Sequence, residues 1–313
     1  MESLKANQVA PRERVSYSLT AVLIGLLVSL RPHQWIKNIL LLSGLVFSGS
    51  LFKGESVGRA LQAFILFCFA SSGIYLFNDL RDLRADRAHP VKRHRPIAAG
   101  RVAMPLAIIT MLALLTGALI GSLQLSRPFA LILGGYLVMN VAYSLGLKHV
   151  VILDVILVAM GFVLRAVAGA VVVNVTPSHW LILCTLMLAL LVVSGKRRYD
   201  VVLAQGRADI QSPPREWYTV EFLDLMTAIA GGAAIVMYAL YTLSAETITR
   251  FGSRGMMLTV PFVLYGIFRY LFLMHRQSGN GDPALLFLTD RPTMLNTILW
   301  GVTVCAVLYG IHW

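Results

Sequence analysis

An all-α, polytopic membrane protein built as a nine-transmembrane-helix bundle is the fold class that this sequence predicts, and three observations predict it. The chain of 313 residues is 57% hydrophobic and 13% charged, with a mean hydropathy of +0.73, a composition outside the range of soluble domains. Nine stretches are apolar for long enough to cross a hydrocarbon layer, which takes about 17 to 25 residues of helix. Within lipid every backbone polar group must be satisfied internally, so stretches of this kind fold as helices that pack on one another.

In chain order the predicted spans lie near 36–52, 57–77, 102–122, 128–146, 150–173, 179–195, 222–244, 257–274 and 293–311. The stretch Tyr17–Leu30 ahead of them reads as an amphipathic interfacial helix leading into Arg31-Pro32. No Pro/Gly/Ser linker divides the chain, so residues 1–313 read as one domain, with 1–35 as an N-terminal cytoplasmic or interfacial segment. The first sixteen residues are polar and no cleavable signal pattern follows, so the first apolar segments are expected to be retained. The two longest polar stretches, 78–101 and 196–221, each follow an even-numbered span, which suggests two four-helix units presenting polar ends to one cavity.

The net charge of +12 invites a nucleic-acid partner, but the placement of Lys and Arg argues for membrane topology instead. With the N-terminus inside, twenty basic residues fall on cytoplasmic segments and five on outside loops, the asymmetry of the positive-inside rule. That reading gives a multi-pass protein of the cell membrane, N-terminus in and C-terminus out, with its polar loops on the cytoplasmic side. Basic loops also attract anionic lipid headgroups and phosphorylated substrates. Cys68, Cys184 and Cys305 all sit in apolar segments and form no disulfide framework, and the seven His show no zinc spacing.

Chemistry concentrates where the second span ends. Asn78, Asp79, Asp82 and Asp86 follow the apolar run directly. On a helix, steps of four residues rotate only about 40° and rise about 6 Å, so Asn78, Asp82 and Asp86 make one oxygen-bearing stripe, with Asp79 beside it. Oxygen ligands at that pitch suit Mg²⁺ held against a diphosphate, because Mg²⁺ keeps few carboxylates and fills its shell with water and phosphate oxygens. A solvated helix end with the Asp residues paired to Arg81, Arg84 and Arg87 is the plainer alternative.

Cations follow at once. His89-Pro90-Val91-Lys92-Arg93-His94-Arg95-Pro96 is held as a loop by its two prolines and brings Lys92 and Arg95 near the acidic run. The end of the sixth span, Ser194-Gly195-Lys196-Arg197-Arg198-Tyr199-Asp200, is basic where the second is acidic. Lys196 and Arg197 suit a phosphate there, with Asp200 orienting a base, metal or ribose hydroxyl; an i, i+4 pair of Lys196 with Asp200 is the plainer account. Lys37 and Asn38 at the first span, and Tyr143 and Lys148 at the end of the fourth, face the same side. Asp154 and Arg165 lie eleven residues apart, within about 20° of one helix face, and face a polar interior in either a packing or a ligand-binding role. Arg269 is open to the same two readings.

On these residues the chain resembles the UbiA superfamily of membrane prenyltransferases along nearly its whole length. Asn78-x3-Asp82-x3-Asp86 is similar to the first Asp-rich motif of that superfamily, and His89 through Gly100 and Tyr143 through Lys148 match its surroundings. The resemblance implies a nine-helix bundle with a lipid-open central cavity and Mg²⁺-dependent chemistry on a diphosphate. Most members carry a second paired-carboxylate motif after the sixth helix, where this chain has Lys196-Arg197-Arg198-Tyr199-Asp200. That departure, together with Arg31-Pro32-x2-Trp35-Ile36-Lys37-Asn38, Asp282-Pro283 and Asp290-Arg291-Pro292, resembles the decaprenyl-phosphate phosphoribosyltransferase branch. The branch implies phosphoribosyl pyrophosphate as donor, a polyprenyl phosphate as acceptor, and a product suited to cell-wall arabinose or other polyprenyl-linked pentose assembly. A prenyltransferase using a prenyl diphosphate with an aromatic or lipid acceptor is the alternative enzyme, and a transporter of phosphorylated solutes or lipids the alternative class. A homo-oligomer stays open.

Overall fold

The computed structural model describes residues 18–205, 217–276 and 289–309. Asp282-Pro283, the basic residues before 18 and Arg215 lie outside them. Among the described residues there is no strand, and nine stretches are long and apolar enough to span a membrane. The protein is therefore an all-α, multi-pass membrane protein.

Helix α1 (Leu19–Leu30) starts on Ser18, whose hydroxyl accepts from the Ala21 N–H, and stops where Arg31 turns left-handed. A 3₁₀ stretch, Pro32–Leu42, and the short α2 (Ser43–Phe47) continue it. Two expectations change here. The first candidate span runs Leu19–Phe47, not 36–52. Nor is α1 amphipathic: Leu19, Leu23, Ile24, Leu27 and Val28 are exposed, while the small Gly25 and Ser29 are the buried positions. The sequence pattern misled because Arg31-Pro32 looked like the start of a span; it is a bend inside one.

The remaining helices are α3 (Gly54–Arg81), α4 (Leu83–Ala88), α5 (Met104–Leu125), α6 (Arg127–Leu145), α7 (Leu153–Val172), α8 (His179–Gln205), α9 (Val220–Leu243), α10 (Ala245–Phe251), α11 (Val260–Arg276) and α12 (Arg291–Tyr309). Their boundaries have local causes. Pro105 and Pro128 sit at the first turns of α5 and α6, where a missing N–H costs nothing, and Ser126 and Thr219 cap α6 and α9. His89 and Pro90 end α4, and Gly146 ends α6.

One core lies between α3, α6, α7 and the 41–45 segment, with Phe67 edge-on to Phe129 at 5.8 Å and tilted on Tyr136 at 5.3 Å. A second joins α8, α9 and α11 through Leu191, Ile267 and Tyr270. The 3₁₀ stretch reaches α7 because Gly169 has no side chain to meet the Leu41 carbonyl, and Gly44 lies directly on the Gly169 backbone. This close crossing fixes one wall of the interior.

Candidate active site

The acidic run straddles a helix break. Asp82 caps α3 and starts α4, yet the Asp82 N–H still reaches Asn78 O (2.9 Å) and the Asp86 N–H reaches Asp82 O (2.8 Å), so the expected four-residue pitch survives the break. The side chains, expected as one stripe of Asn78, Asp82 and Asp86, separate into two pairs instead, because the break at Asp82 turns Asp86 toward Asp79. Asp79 and Asp86 are both buried and share Arg95, whose Nη1 lies 3.1 Å from one carboxylate and 2.7 Å from the other. Arg31 Nη2 reaches the same Asp79 oxygen, Oδ1, at 2.6 Å. Asn78 and Asp82 instead meet the end of α6: Ser144 donates to Asn78 Oδ1, and Lys148 Nζ lies 2.8 Å from Asp82 Oδ2.

The partners are thus Arg95 from the loop that follows, as its place in the sequence suggested, and Arg31 and Lys148 from far along the chain, in place of the neighbouring Arg81, Arg84 and Arg87. Arg81 and Arg87 donate to the carbonyls of Leu145 and Ala98. Lys92 stands exposed on the 3₁₀ turn Lys92–His94, its N–H bonded to His89 Nδ1 at 3.3 Å. Partial burial, then the Lys92 charge, holds His89 below its ordinary pKa and so keeps that nitrogen an acceptor.

The basic end of α8 closes on the same place. Arg197 donates to Asp154 (2.9 Å) and to the Tyr143 hydroxyl (3.0 Å), and stands 3.8 Å from Asp200. Tyr143 and Ser144 are consecutive, so one turn of α6 touches Arg197 on one side and Asn78 on the other. The acidic end of α3 and the basic end of α8 therefore lie at the same end of the bundle, around Tyr143–Lys148. The side chain of Arg198 turns away to Asp224 at 2.5 Å.

Asp154 also accepts from the Tyr218 hydroxyl at 2.6 Å, and that oxygen takes the Ile152 N–H at 2.6 Å. Ile152 holds φ at 70°, a conformation uncommon for a β-branched residue, and the Tyr218 bond fixes it there. Burial, then the bond to Asp154, pushes the Tyr218 phenol up to about 12, so it stays a donor. Sequence reading left Asp154 without a partner and missed Tyr218 and Ser144. A lone carboxylate at the head of an apolar span was the signal for Asp154; Tyr218 had none.

Lys37 lines a cavity of about 710 Å³ that is almost wholly apolar. It extends past Phe162 and Leu181 to Tyr238, Phe251 and Trp300. Asn38, the next residue after Lys37, is buried instead, with its oxygen on Arg165 and its nitrogen near Cys68 and Ser71. Arg269 pairs with Asp290 at 2.9 Å, away from these groups.

The donor set fits a hard divalent cation. Arg95 Nη1 already sits as a positive atom between the Asp79 and Asp86 carboxylates, so one cation bridging them is a geometry this fold uses. Asp82 and Asn78 offer further oxygens on the adjacent turn. Among the described residues no three His, Cys, Asp or Glu side chains gather into one metal-holding group. Two carboxylates completed by substrate oxygens is the coordination that Mg²⁺ favours.

A fold of this kind, with an acid-lined helix end over a long apolar cavity, defines an intramembrane transferase class. The UbiA prenyltransferase family model matches residues 39–290, and the chain belongs to that family. It is 34% identical over 296 residues to the decaprenyl-phosphate phosphoribosyltransferase of Mycolicibacterium smegmatis, covering 91% of this chain and 92% of that one. The enzyme of the same name from Corynebacterium glutamicum is 32% identical over 290 residues, covering 91% and 87%. Among solved structures, a UbiA homolog from Archaeoglobus fulgidus bound to GPP and Mg²⁺ superposes with a TM-score of 0.69 at 20% identity, over 91% of this chain and 99% of that one.

Proposed function

We propose that the protein transfers the 5-phosphoribosyl group of phosphoribosyl pyrophosphate to a polyprenyl phosphate, releasing pyrophosphate. The observation that carries this reading is the pairing of an acidic helix end with a basic one across Tyr143–Lys148, above an apolar cavity. Arg197 stands where most family members have a second acidic motif, and it favours a phosphate over a second metal-bound diphosphate there. The name of the relatives at 32 to 34% identity, decaprenyl-phosphate phosphoribosyltransferase, supports a polyprenyl phosphate acceptor and a phosphoribosyl group as what is transferred.

The bond formed joins a phosphate oxygen of the acceptor to ribose C1, and the bond broken is that from C1 to the pyrophosphate oxygen. The acceptor phosphate is an anion at neutral pH and needs no protein base to deprotonate it. Asp82 and Asp86, with Asn78 and Asp79, would hold Mg²⁺ on the donor's pyrophosphate. Bound there, Mg²⁺ supplies neutralisation of the leaving group as C1 gains positive character. Arg95 and Lys148, which neutralise the carboxylates in the absence of substrate, are placed to turn to phosphate oxygens when donor and metal arrive. Lys196 and Arg197 take the donor's 5-phosphate or the acceptor phosphate. Lys37 and Lys92 are weaker candidates, Lys37 on the cavity wall and Lys92 on the exposed turn.

The isoprenoid tail lies in the 710 Å³ cavity, and the soluble donor enters from the cytoplasm. The site end carries the basic clusters Arg81–Arg101 and Lys196–Arg198, and by the positive-inside rule this bias supports reading it and the N-terminus as cytoplasmic. The test is purified protein with labelled phosphoribosyl pyrophosphate and decaprenyl phosphate, run beside geranyl diphosphate with an aromatic acid. Product in the first mixture only, dependent on Mg²⁺, is the expected result. Product in the second only would replace this reading with aromatic prenylation.

A further inference from the structure

Arg165 of α7 is buried, and nothing proposed above uses it. Its Nε donates to Asn38 Oδ1 (2.7 Å), Nη1 to Gly161 O (2.8 Å) and Nη2 to the Tyr136 hydroxyl (2.8 Å). The guanidinium lies 4.8 Å from the Tyr136 ring centroid and 5.5 Å from that of Phe162. All of these partners are neutral. The other arginines around the site that are withdrawn from solvent, Arg31, Arg95, Arg197 and Arg198, each meet a carboxylate. Among the described residues Arg165 has none.

Arginine stays protonated at every accessible pH, and a buried cation without a counter-charge is strongly unfavourable. Ring faces and oriented dipoles recover only part of that cost. The uncompensated charge has a direction. Phe162, one turn back on α7 and in contact with the guanidinium, lines the apolar cavity, and Asn38 follows Lys37, which lines it too. Arg165 thus stands directly behind the wall at the lysine end of the cavity.

We propose that Arg165 is a positioning residue that makes the Lys37 side of this cavity select a phosphorylated isoprenoid over the neutral alcohol. Through Asn38 it fixes the 3₁₀ stretch so that Lys37 faces the cavity, and its unneutralised charge supplies the positive potential that holds the anionic head there. The inference rests on the reading of the acceptor as a polyprenyl phosphate.

Trp180 and Trp300 line the cavity, so quenching of tryptophan fluorescence in the detergent-purified full chain reports occupancy. Decaprenyl phosphate and decaprenol are the two probes, and thermal melting is the folding control. N38D keeps an acceptor on Arg165 Nε and sets a carboxylate against the guanidinium, cancelling the charge while preserving the contact. R165K keeps the charge and loses the three-way fork. Wild type should bind the phosphate at least about tenfold more tightly than the alcohol, the effect of a unit charge acting through a partly screened wall. N38D should melt close to wild type, bind decaprenol unchanged and lose about tenfold in affinity for the phosphate. R165K should keep the preference at a lower melting temperature. Folded N38D with full preference for the phosphate overturns the proposal; should N38D not fold, R165Q is read the same way, and retained preference there overturns it equally. A wild type that binds the phosphate no better than the alcohol removes the acceptor reading itself.

Discussion

Asp82→Ala and Asp86→Ala should both abolish transfer but differ in their effect on stability, and the structure sets the size of the difference. The Asp82 side chain is 35% exposed and its partner Lys148 is 26% exposed. An ion pair open to solvent to that extent contributes about 0–1 kcal/mol. Asp86 is 3% exposed and accepts from Arg95 at 2.7 Å in a cluster that continues through Asp79 to Arg31. Breaking a fully buried pair costs about 3–5 kcal/mol. Arg95 is 31% exposed and retains Asp79, so the loss here is smaller, about 1–3 kcal/mol. A gap of about 2 kcal/mol between the variants corresponds to a melting separation of roughly 3 °C in a chain of 313 residues. The assay is thermal unfolding in detergent beside product formation from labelled donor at saturating Mg²⁺. Equal melting of the two variants would refute the division into an open and a buried carboxylate pair, and normal turnover by Asp82→Ala would remove the metal assignment.

Arg197→Lys replaces the planar fork, whose Nε and Nη2 meet Asp154 and the Tyr143 hydroxyl separately, with a single shorter-reaching ammonium, so kcat/KM should fall by about 10- to 100-fold with folding intact, measured at limiting donor and at limiting acceptor. Gly169→Ala would drive a methyl into the Leu41 carbonyl, and it should lower the melting temperature by the equivalent of about 1–3 kcal/mol. Cys184→Trp fills part of the cavity and should reduce turnover of a long polyprenyl phosphate more than that of a two-isoprene analogue, read as the ratio of the two rates. Asp290 is held down to about 2, first by its bond to Arg269. A depressed carboxyl contributes stability that is complete above its unfolded value of about 3.9 and is lost as the pH falls through its folded one. Asp290→Asn should therefore flatten the acid limb of a melting-temperature profile between those two values.

The acidic pitch at the end of α3 was legible because it is local: backbone bonds carry Asn78, Asp82 and Asp86 through the break at Asp82. Which cation each acid meets was not. Arg31 and Lys148 reach Asp79 and Asp82 only because α1, α3 and α6 end together. Asn38, expected at the substrate, is turned inward by Arg165. The first span was misplaced because a left-handed residue at Arg31 lets a helix bend without ending the apolar run, which a hydropathy window cannot distinguish from a boundary.

By itself the sequence determined the membrane-spanning helical class, the nine candidate spans among the described residues and the residue types at the two polar helix ends, since each depends on composition or on spacing within one helix. Only the tertiary structure decided that Asp79 pairs with Asp86 through Arg95, that Tyr143 and Ser144 join the acidic end to the basic one, and that Arg165 meets no carboxylate among the described residues. Those facts belong to contacts between helices, set by close approach at points such as Gly169, and no single-helix pattern encodes them.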